Sequence, residues 1–172
     1  MTQRPQIGDG PIGAHVLRSE DASLLTGRAR FVDDLTPPDC LFLKLVRSSL
    51  AHARITSIDT EAASALEGVV TVLTAADLTV KPQIPPVENA DVVNVPRYAL
   101  AKDKVRFAGE AIVAVVATSP YLAEDACEAV VVEMEPLPVL LDAGQAARVD
   151  AALLHDVDSN VLLTRNYEHG DV

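Results

Sequence analysis

The chain has no tryptophan, only three tyrosines and three phenylalanines among 172 residues, and only two cysteines. A core without large rings must be packed by Val, Leu, Ile and Ala. The 49% apolar content still excludes general disorder. Cys40 and Cys127 lie far apart without CxxC spacing, which excludes a zinc knuckle and a disulfide framework and leaves two free thiols in a reducing compartment. Basic residues are also scarce, 14 against 25 acidic ones, for a net charge of -11. Phosphate neutralisation needs clustered Lys and Arg, so neither a nucleic acid nor an anionic membrane surface is expected as a partner. No apolar run approaches the ~20 residues of a membrane span, and MTQRPQIGDG lacks the apolar core of a secretory signal, so a cytoplasmic protein is expected.

The most legible stretch is Val105 to Asp142. Ala111 to Ala117 is a continuous run of Val, Ile and Ala, suited to a strand covered on both faces. Ser119 followed by Pro120 predicts a helix start. Leu122, Ala123, Ala126, Cys127 and Val130 fall on one helical face, opposite Glu124, Asp125 and Glu128. Val130 to Met134 returns to β-branched residues, and Pro136 and Pro138 end the element. A strand, a crossover helix and a strand of these lengths permit a parallel pairing.

Earlier in the chain, Ser19 is expected to cap a short helix that begins with Glu20 and Asp21 and closes at Gly27. Leu41 to Arg47 alternates as a strand, after the turn cluster Pro37-Pro38-Asp39, with Asp33 and Asp34 near an earlier turn. Ile55 to Ile58 predicts a second strand, Thr60 to Glu67 a helix capped by Asp59 and stopped by Gly68, and Val69 to Leu73 a third strand. Thr74 to Asp77 has capping-box spacing for one more helical turn. Ile55 to Leu73 and Ala111 to Met134 thus share one plan, a structural pseudo-repeat. Val80 to Asp103, with Pro82, Pro85, Pro86 and Pro96, reads as a long loop, and Ala146 to Leu154 as a marginal helix.

The motifs that would carry chemistry are sparse. GDGPIG at residues 8–13 matches G-x-G-x-x-G by letter, but no strand feeds it, so it reads as a flexible arm. His15, His52, His155 and His169 have no spacing that places two on one face, so no metal site is expected. His52, near Arg47 and Arg54, reads as a hydrogen-bonded structural residue in preference to a proton carrier. Glu133 and Glu135 share a strand face and are expected to be solvated carboxylates. No nucleophile elbow, phosphate loop or triad is present. Read from its residues alone, the chain is a soluble α+β domain without a visible active site.

Five segments together resemble the N-terminal α/β hammerhead domain of the molybdopterin-binding large subunit of the xanthine dehydrogenase and aldehyde oxidase family. They are RSEDASLLTGRARFVDDL from Arg18, LFLKLVRSSLAHARITSIDT from Leu41, EGVVTVLTAADL from Glu67, LAKDKVRFAGEAIVAVVA from Leu100 and EPLPVLLDAGQA from Glu135. Bacterial multi-subunit members, such as carbon monoxide dehydrogenase large subunits, look closer than single-chain ones. Ser49-Leu50, Ala111 and Met134 depart from the family's usual residues.

The resemblance implies an α+β fold, an α/β hammerhead with a mixed sheet and two or three short helices. It implies an arm over residues 1–17, the hammerhead over 18–160, and over 161–172 the start of a link to a molybdopterin-binding region. It implies a framework role in a molybdenum hydroxylase, with no catalytic residue in this chain. Molybdopterin, in its cytosine dinucleotide form, would sit in the rest of the large subunit, and 2Fe-2S and FAD on partner subunits. The positions it carries over are structural or interface candidates: Arg47, Ser48, Ala51, His52 and Ala53, with Gly109 and Glu110. Gly109 is expected to permit a bulge or close backbone approach, and Arg47 to pair with Glu110 or Asp59 or to contact the rest of the subunit. The rival reading is a free-standing interaction module or a truncated remnant with no redox role.

Overall fold

A computed structural model describes residues 18–79, 91–93, 95–167 and 169–170. The arm and the GDGPIG motif lie outside the described residues, as does much of the expected proline-rich loop. The chain divides into two units, Met1–Pro38 and Asp39–Val172.

In the first unit, α1 spans Asp21–Leu25, and its N-cap is Glu20 without a side-chain cap bond. Ser19 therefore does not cap this helix. Glu20 is already in helical geometry, and the turn is closed by its carbonyl, which accepts from the Ser23 and Leu24 N–H groups and the Ser23 hydroxyl. The stop is the expected one: Gly27 adopts φ 65°, and the N–H groups of Arg28 and Ala29 return to the Ser23 carbonyl. A 3-10 turn over Val32–Asp34 follows, with the Asp34 carboxylate accepting the Phe31 N–H at 2.8 Å.

The second unit contains, in chain order, β1 Phe42–Arg47, β2 Ala53–Asp59, α2 Glu61–Ser64, β3 Val69–Leu73, β4 Asp91–Val92, β5 Lys104–Val105, β6 Ala111–Ala117, α3 Pro120–Ala129, β7 Val131–Pro136, α4 Ala143–Ala146 and β8 Leu163–Thr164. One sheet has the order β1-β6-β3, a second β5-β2-β7, and β4 pairs with β8 alone. All these pairs are antiparallel. The parallel pairing that the strand–helix–strand stretch permits is not made, because both edges of β6 are already taken by β1 and β3. α3 instead carries the chain from the first sheet to the second.

The similarity of plan between the two halves has a structural counterpart. β2-α2-β3 runs from the second sheet to the first, and β6-α3-β7 runs from the first to the second. Each half's first strand pairs with the other half's second strand, β6 with β3 and β2 with β7, and α2 packs on α3.

The core lies between the sheets and these helices. Ile112, Val113, Ala114 and Val115 of β6 are consecutively buried, as expected of a doubly covered strand. Val113 and Val115 join Val105, Ala53, Ala63 and Ala126, with Val46, Val69 and Val72 packed around them. Full burial of each larger aliphatic side chain contributes roughly 1.5–3 kcal/mol. β1 forms where predicted, but its burial does not alternate: Leu43 and Lys44 are both exposed, and Leu45 and Val46 both half-buried. Val46 packs against the core, Lys44 reaches Glu124 of α3 at 3.5 Å on the surface, and Leu41 and Leu43 are exposed.

Helix lengths follow the caps. α3 has Ser119 at its N-cap, where the hydroxyl accepts the Leu122 N–H at 3.2 Å, and Pro120 in the first turn; its buried face holds Ala123 and Ala126. α2 is one turn, shorter than the expected 60–67. Thr60 at its N-cap makes no side-chain bond, and the Asp59 carboxylate reaches only the Glu61 N–H at 2.9 Å. Gly68 ends the segment at φ 86°, where an added Cβ would stand 2.6 Å from Leu122 Cδ1.

Thr74 to Asp77 makes capping-box bonds without a helix: the Asp77 carboxylate accepts the Thr74 N–H at 2.7 Å and its hydroxyl at 2.8 Å. These bonds, the backbone one first, hold the Asp77 carboxyl below the usual carboxylate range. α4 precedes the expected 146–154 helix and is capped by Asp142, which accepts the Gln145 N–H at 2.7 Å. The stretch after it is organised by Asn160, whose amide donates to the carbonyls of Ala146 and Ala152 and accepts the Leu154 N–H. These side-chain bonds replace helical ones.

Candidate functional site at the Arg47 to Ala53 corner

All seven candidate residues gather where β1 ends, β2 begins and the turn before β6 passes by. The Ser48 N–H donates to the Glu110 carbonyl at 2.9 Å, and the Gly109 N–H donates to the Ser48 carbonyl at 2.7 Å. The β1–β6 register slips at this point, from Val46 opposite Val113 to Arg47 opposite Ala111, so the extra residue of the bulge is Ile112 and not the glycine. Gly109 itself sits at φ 89° in the turn closed by the Glu110 N–H and Phe107 carbonyl. An added Cβ there would meet nothing within 4 Å. The residue is needed for its left-handed backbone, not for close approach.

Arg47 pairs with neither Glu110 nor Asp59 among the described residues. Its Nη1 donates to the Gly109 carbonyl at 2.8 Å, because the strand end presents that oxygen across the bulge. The Glu110 carboxylate is engaged by the backbone N–H of Arg106. Ser48 is 4% exposed; its hydroxyl donates to the Leu50 carbonyl at 2.7 Å and accepts the Leu50 N–H at 3.1 Å, closing a tight local ring. Ala51 is half-buried. Ala53 is fully buried, with Val105 and Pro136 as its neighbours on either side, which explains a small side chain there.

His52 is 4% exposed, with Nδ1 at 2.6 Å from the Pro138 carbonyl. A carbonyl only accepts, so Nδ1 carries the proton. The Leu137 N–H donates to the His52 carbonyl at 2.9 Å, so ring and backbone together tie the start of β2 to the segment after β7. His52 is thus hydrogen-bonded through both its ring and its backbone. Nε2 is buried without a partner among the described residues.

Glu133 accepts from the Ser57 hydroxyl at 2.9 Å, and Glu135 lies 3.9 Å from Arg54 across the β2–β7 pair. Both cysteines are free and half-buried; burial above all pushes the Cys127 thiol up, against a smaller opposing effect of Lys44. Among the described residues no group of three or more His, Cys, Asp or Glu side chains converges as a metal-ligand set. These residues do not fit a molybdenum or iron-sulfur ligand set. What the corner can do is hold two sheets and a following segment in register. The residues missed by sequence reasoning are Asn160 and Arg106. Arg106 spans from Leu154 to Lys104 through its guanidinium, and its place directly before the glycine turn was the available signal.

Comparison with known proteins agrees with this architecture. The profile of the aldehyde oxidase and xanthine dehydrogenase a/b hammerhead domain matches residues 26–138. The carbon monoxide dehydrogenase large chain of Afipia carboxidovorans is 47% identical over 148 residues, 84% of this chain and 18% of that protein. The nicotine 6-hydroxylase large subunit of Paenarthrobacter nicotinovorans is 40% identical, over 98% of this chain and 21% of that protein. Among solved structures, the aldehyde oxidoreductase of Desulfovibrio gigas superposes with a TM-score of 0.75 at 31% identity, covering 84% of this chain and 17% of that one. The chain thus spans about a fifth of the length of the curated relatives it matches. With its two interleaved strand–helix–strand halves and its glycine-turn corner, it belongs to the aldehyde oxidase and xanthine dehydrogenase family, as the α/β hammerhead domain.

Proposed function

We propose that this domain is a framework element of a molybdenum hydroxylase large subunit and supplies no catalytic residue itself. The hammerhead takes in residues 18–160, with 1–17 as an arm and 161–172 as the start of a link to a molybdopterin-binding region. Arg47, Ser48, Ala51, His52, Ala53, Gly109 and Glu110 serve as its scaffold and interface. The observation that carries this reading is the family match over residues 26–138, joined to a corner whose polar groups are occupied in holding backbone. The exposed Leu41 and Leu43, beside the half-buried Leu45, fit a face meant to be covered by more protein. Molybdopterin in its cytosine dinucleotide form belongs to the rest of that subunit, and 2Fe-2S and FAD to partners, in the cytoplasm. Among the described residues no helix is long and apolar enough to cross a membrane.

The test is affinity recovery of the chain from its native extract, followed by mass spectrometry and metal analysis. Recovery with a molybdenum-bearing polypeptide and iron-sulfur and flavin partners is expected. Recovery of the chain alone, free of molybdenum, overturns the reading in favour of an interaction module or a remnant.

A further inference from the structure

In a chain of net charge -11, one cavity has the opposite character. It has a volume of about 580 Å³, adjoins the Arg47 corner, and is lined by Arg47, Arg97, Arg106 and His155, with Glu110 as the one acidic residue of its wall. The side-chain bonds that hold two of these arginines do not neutralise their charge, and the Glu110 carboxylate in the same wall is engaged by the Arg106 backbone N–H. Arg47 donates to the Gly109 carbonyl, and Arg106 donates to the carbonyls of Leu154 at 3.0 Å and Lys104 at 3.2 Å, all neutral acceptors. Among the described residues no carboxylate lies within 4.0 Å of the three guanidiniums, whereas the neighbouring Lys104 is paired with Asp156 at 2.9 Å. Each guanidinium has five N–H donors in a planar fork, so donors remain on all three. Two rings also line the cavity, Phe107, 58% exposed, and Tyr98, 43% exposed.

We propose that this cavity binds a carboxylate with an apolar body, held by Arg97 and by the remaining donors of Arg47 and Arg106, with Tyr98 and Phe107 against the body. Guanidinium–carboxylate pairs are short, frequently bidentate and about twice as strong as neutral hydrogen bonds. The same chemistry comes from two sources, a free organic acid or an acidic side chain on a docking polypeptide. His155 reports on occupancy. Burial first, then Arg106, Lys104 and Arg97, push its imidazole below the ordinary histidine value, while Asp156 opposes them. An anion placed among these cations favours the imidazolium, so its midpoint rises on binding.

The experiment follows the His155 ring signals by NMR through pH titrations of the chain. The probes are sodium benzoate, a blocked Leu-Glu-Leu tripeptide, its Leu-Gln-Leu counterpart, and sodium chloride at matched ionic strength. A saturable rise in the His155 midpoint with benzoate or the acidic tripeptide, and none with the other two, is expected. Benzoate alone identifies a free acid, and the acidic tripeptide alone a docking side chain. Arg97 is exposed, so Arg97→Gln leaves the fold intact and is expected to weaken the dissociation constant by about tenfold or more. A His155 midpoint that follows chloride equally well, or binding unchanged in Arg97→Gln, overturns the proposal.

Discussion

The two strand–helix–strand halves follow the same course in opposite directions between the sheets, yet they bear unequal shares of the core. β6 buries four consecutive side chains from Ile112 to Val115, while Ala53 is the only fully buried residue of β2 and β3. α3 runs ten residues, and α2 four. The strands pair symmetrically, so the difference resides in sequence: an unbroken Val-Ile run against alternation, and Ser-Pro against a threonine that makes no cap bond. In a fold with so few aromatic residues, the half with the continuous aliphatic strand and the capped helix becomes the nucleus of packing. The other half is held against it.

The largest expected effect sharpens that inequality. Val115 is fully buried and faces Lys44 and Val72 across its two neighbouring strands. Val115→Asp buries a carboxylate in the centre of the β6 sheet, where the amine of the opposing Lys44 is already drawn outward to Glu124, at a cost of several kcal/mol against a total stability of about 5–15 kcal/mol. Loss of the cooperative thermal transition is the expected result. An unchanged midpoint would show that β6 is not central.

The next effect lies where the halves touch. Gly68→Ala puts a Cβ into a left-handed backbone at φ 86°, 2.6 Å from Leu122 Cδ1 and 3.0 Å from Thr118 Oγ1. Left-handed geometry costs about 1–2 kcal/mol for a residue with a Cβ, and Leu122 must also yield. A fall in thermal midpoint of several degrees is expected. Gly109→Ala isolates the backbone part, because nothing lies within 4 Å of its added Cβ. Equal losses from the two substitutions would remove the packing component at Gly68.

Patterns set by neighbours in sequence were readable: the β1 strand, the β6 run, the Ser119-Pro120 helix start and the Gly27 stop. Patterns that depend on pairing were not. Nothing within Val105 to Asp142 shows that β1 and β3 occupy both edges of β6, and that occupancy sends β7 to the other sheet. The 146–154 segment failed for a related reason, since the hydrogen bonds that decided it came from Asn160; at Ser19 the miss was local, the adjacent Glu20 carbonyl closing the turn instead. At the corner, the family resemblance picked residues that do assemble. It did not reveal that Arg47 binds a carbonyl across a bulge, because a slip in register leaves no mark in the composition of either strand.

The smallest effects test whether capping explains the unequal helices. Ser119→Ala removes the acceptor of the Leu122 N–H and is expected to cost about 1 kcal/mol, typical of a lost N-cap.

Asp59→Ala removes the exposed bond to the Glu61 N–H at the start of α2. A single exposed turn has little helical cooperativity to lose, and water replaces the carboxylate, so a loss of about 0.5 kcal/mol or less is expected. Chemical denaturation of both variants under the same conditions measures the difference. If Asp59→Ala costs as much as Ser119→Ala, the two helices depend equally on their caps, and the inequality between the halves must come from the strands alone. If Ser119→Ala is the costlier, the cap that lengthens α3 also helps to make its half the nucleus of the core.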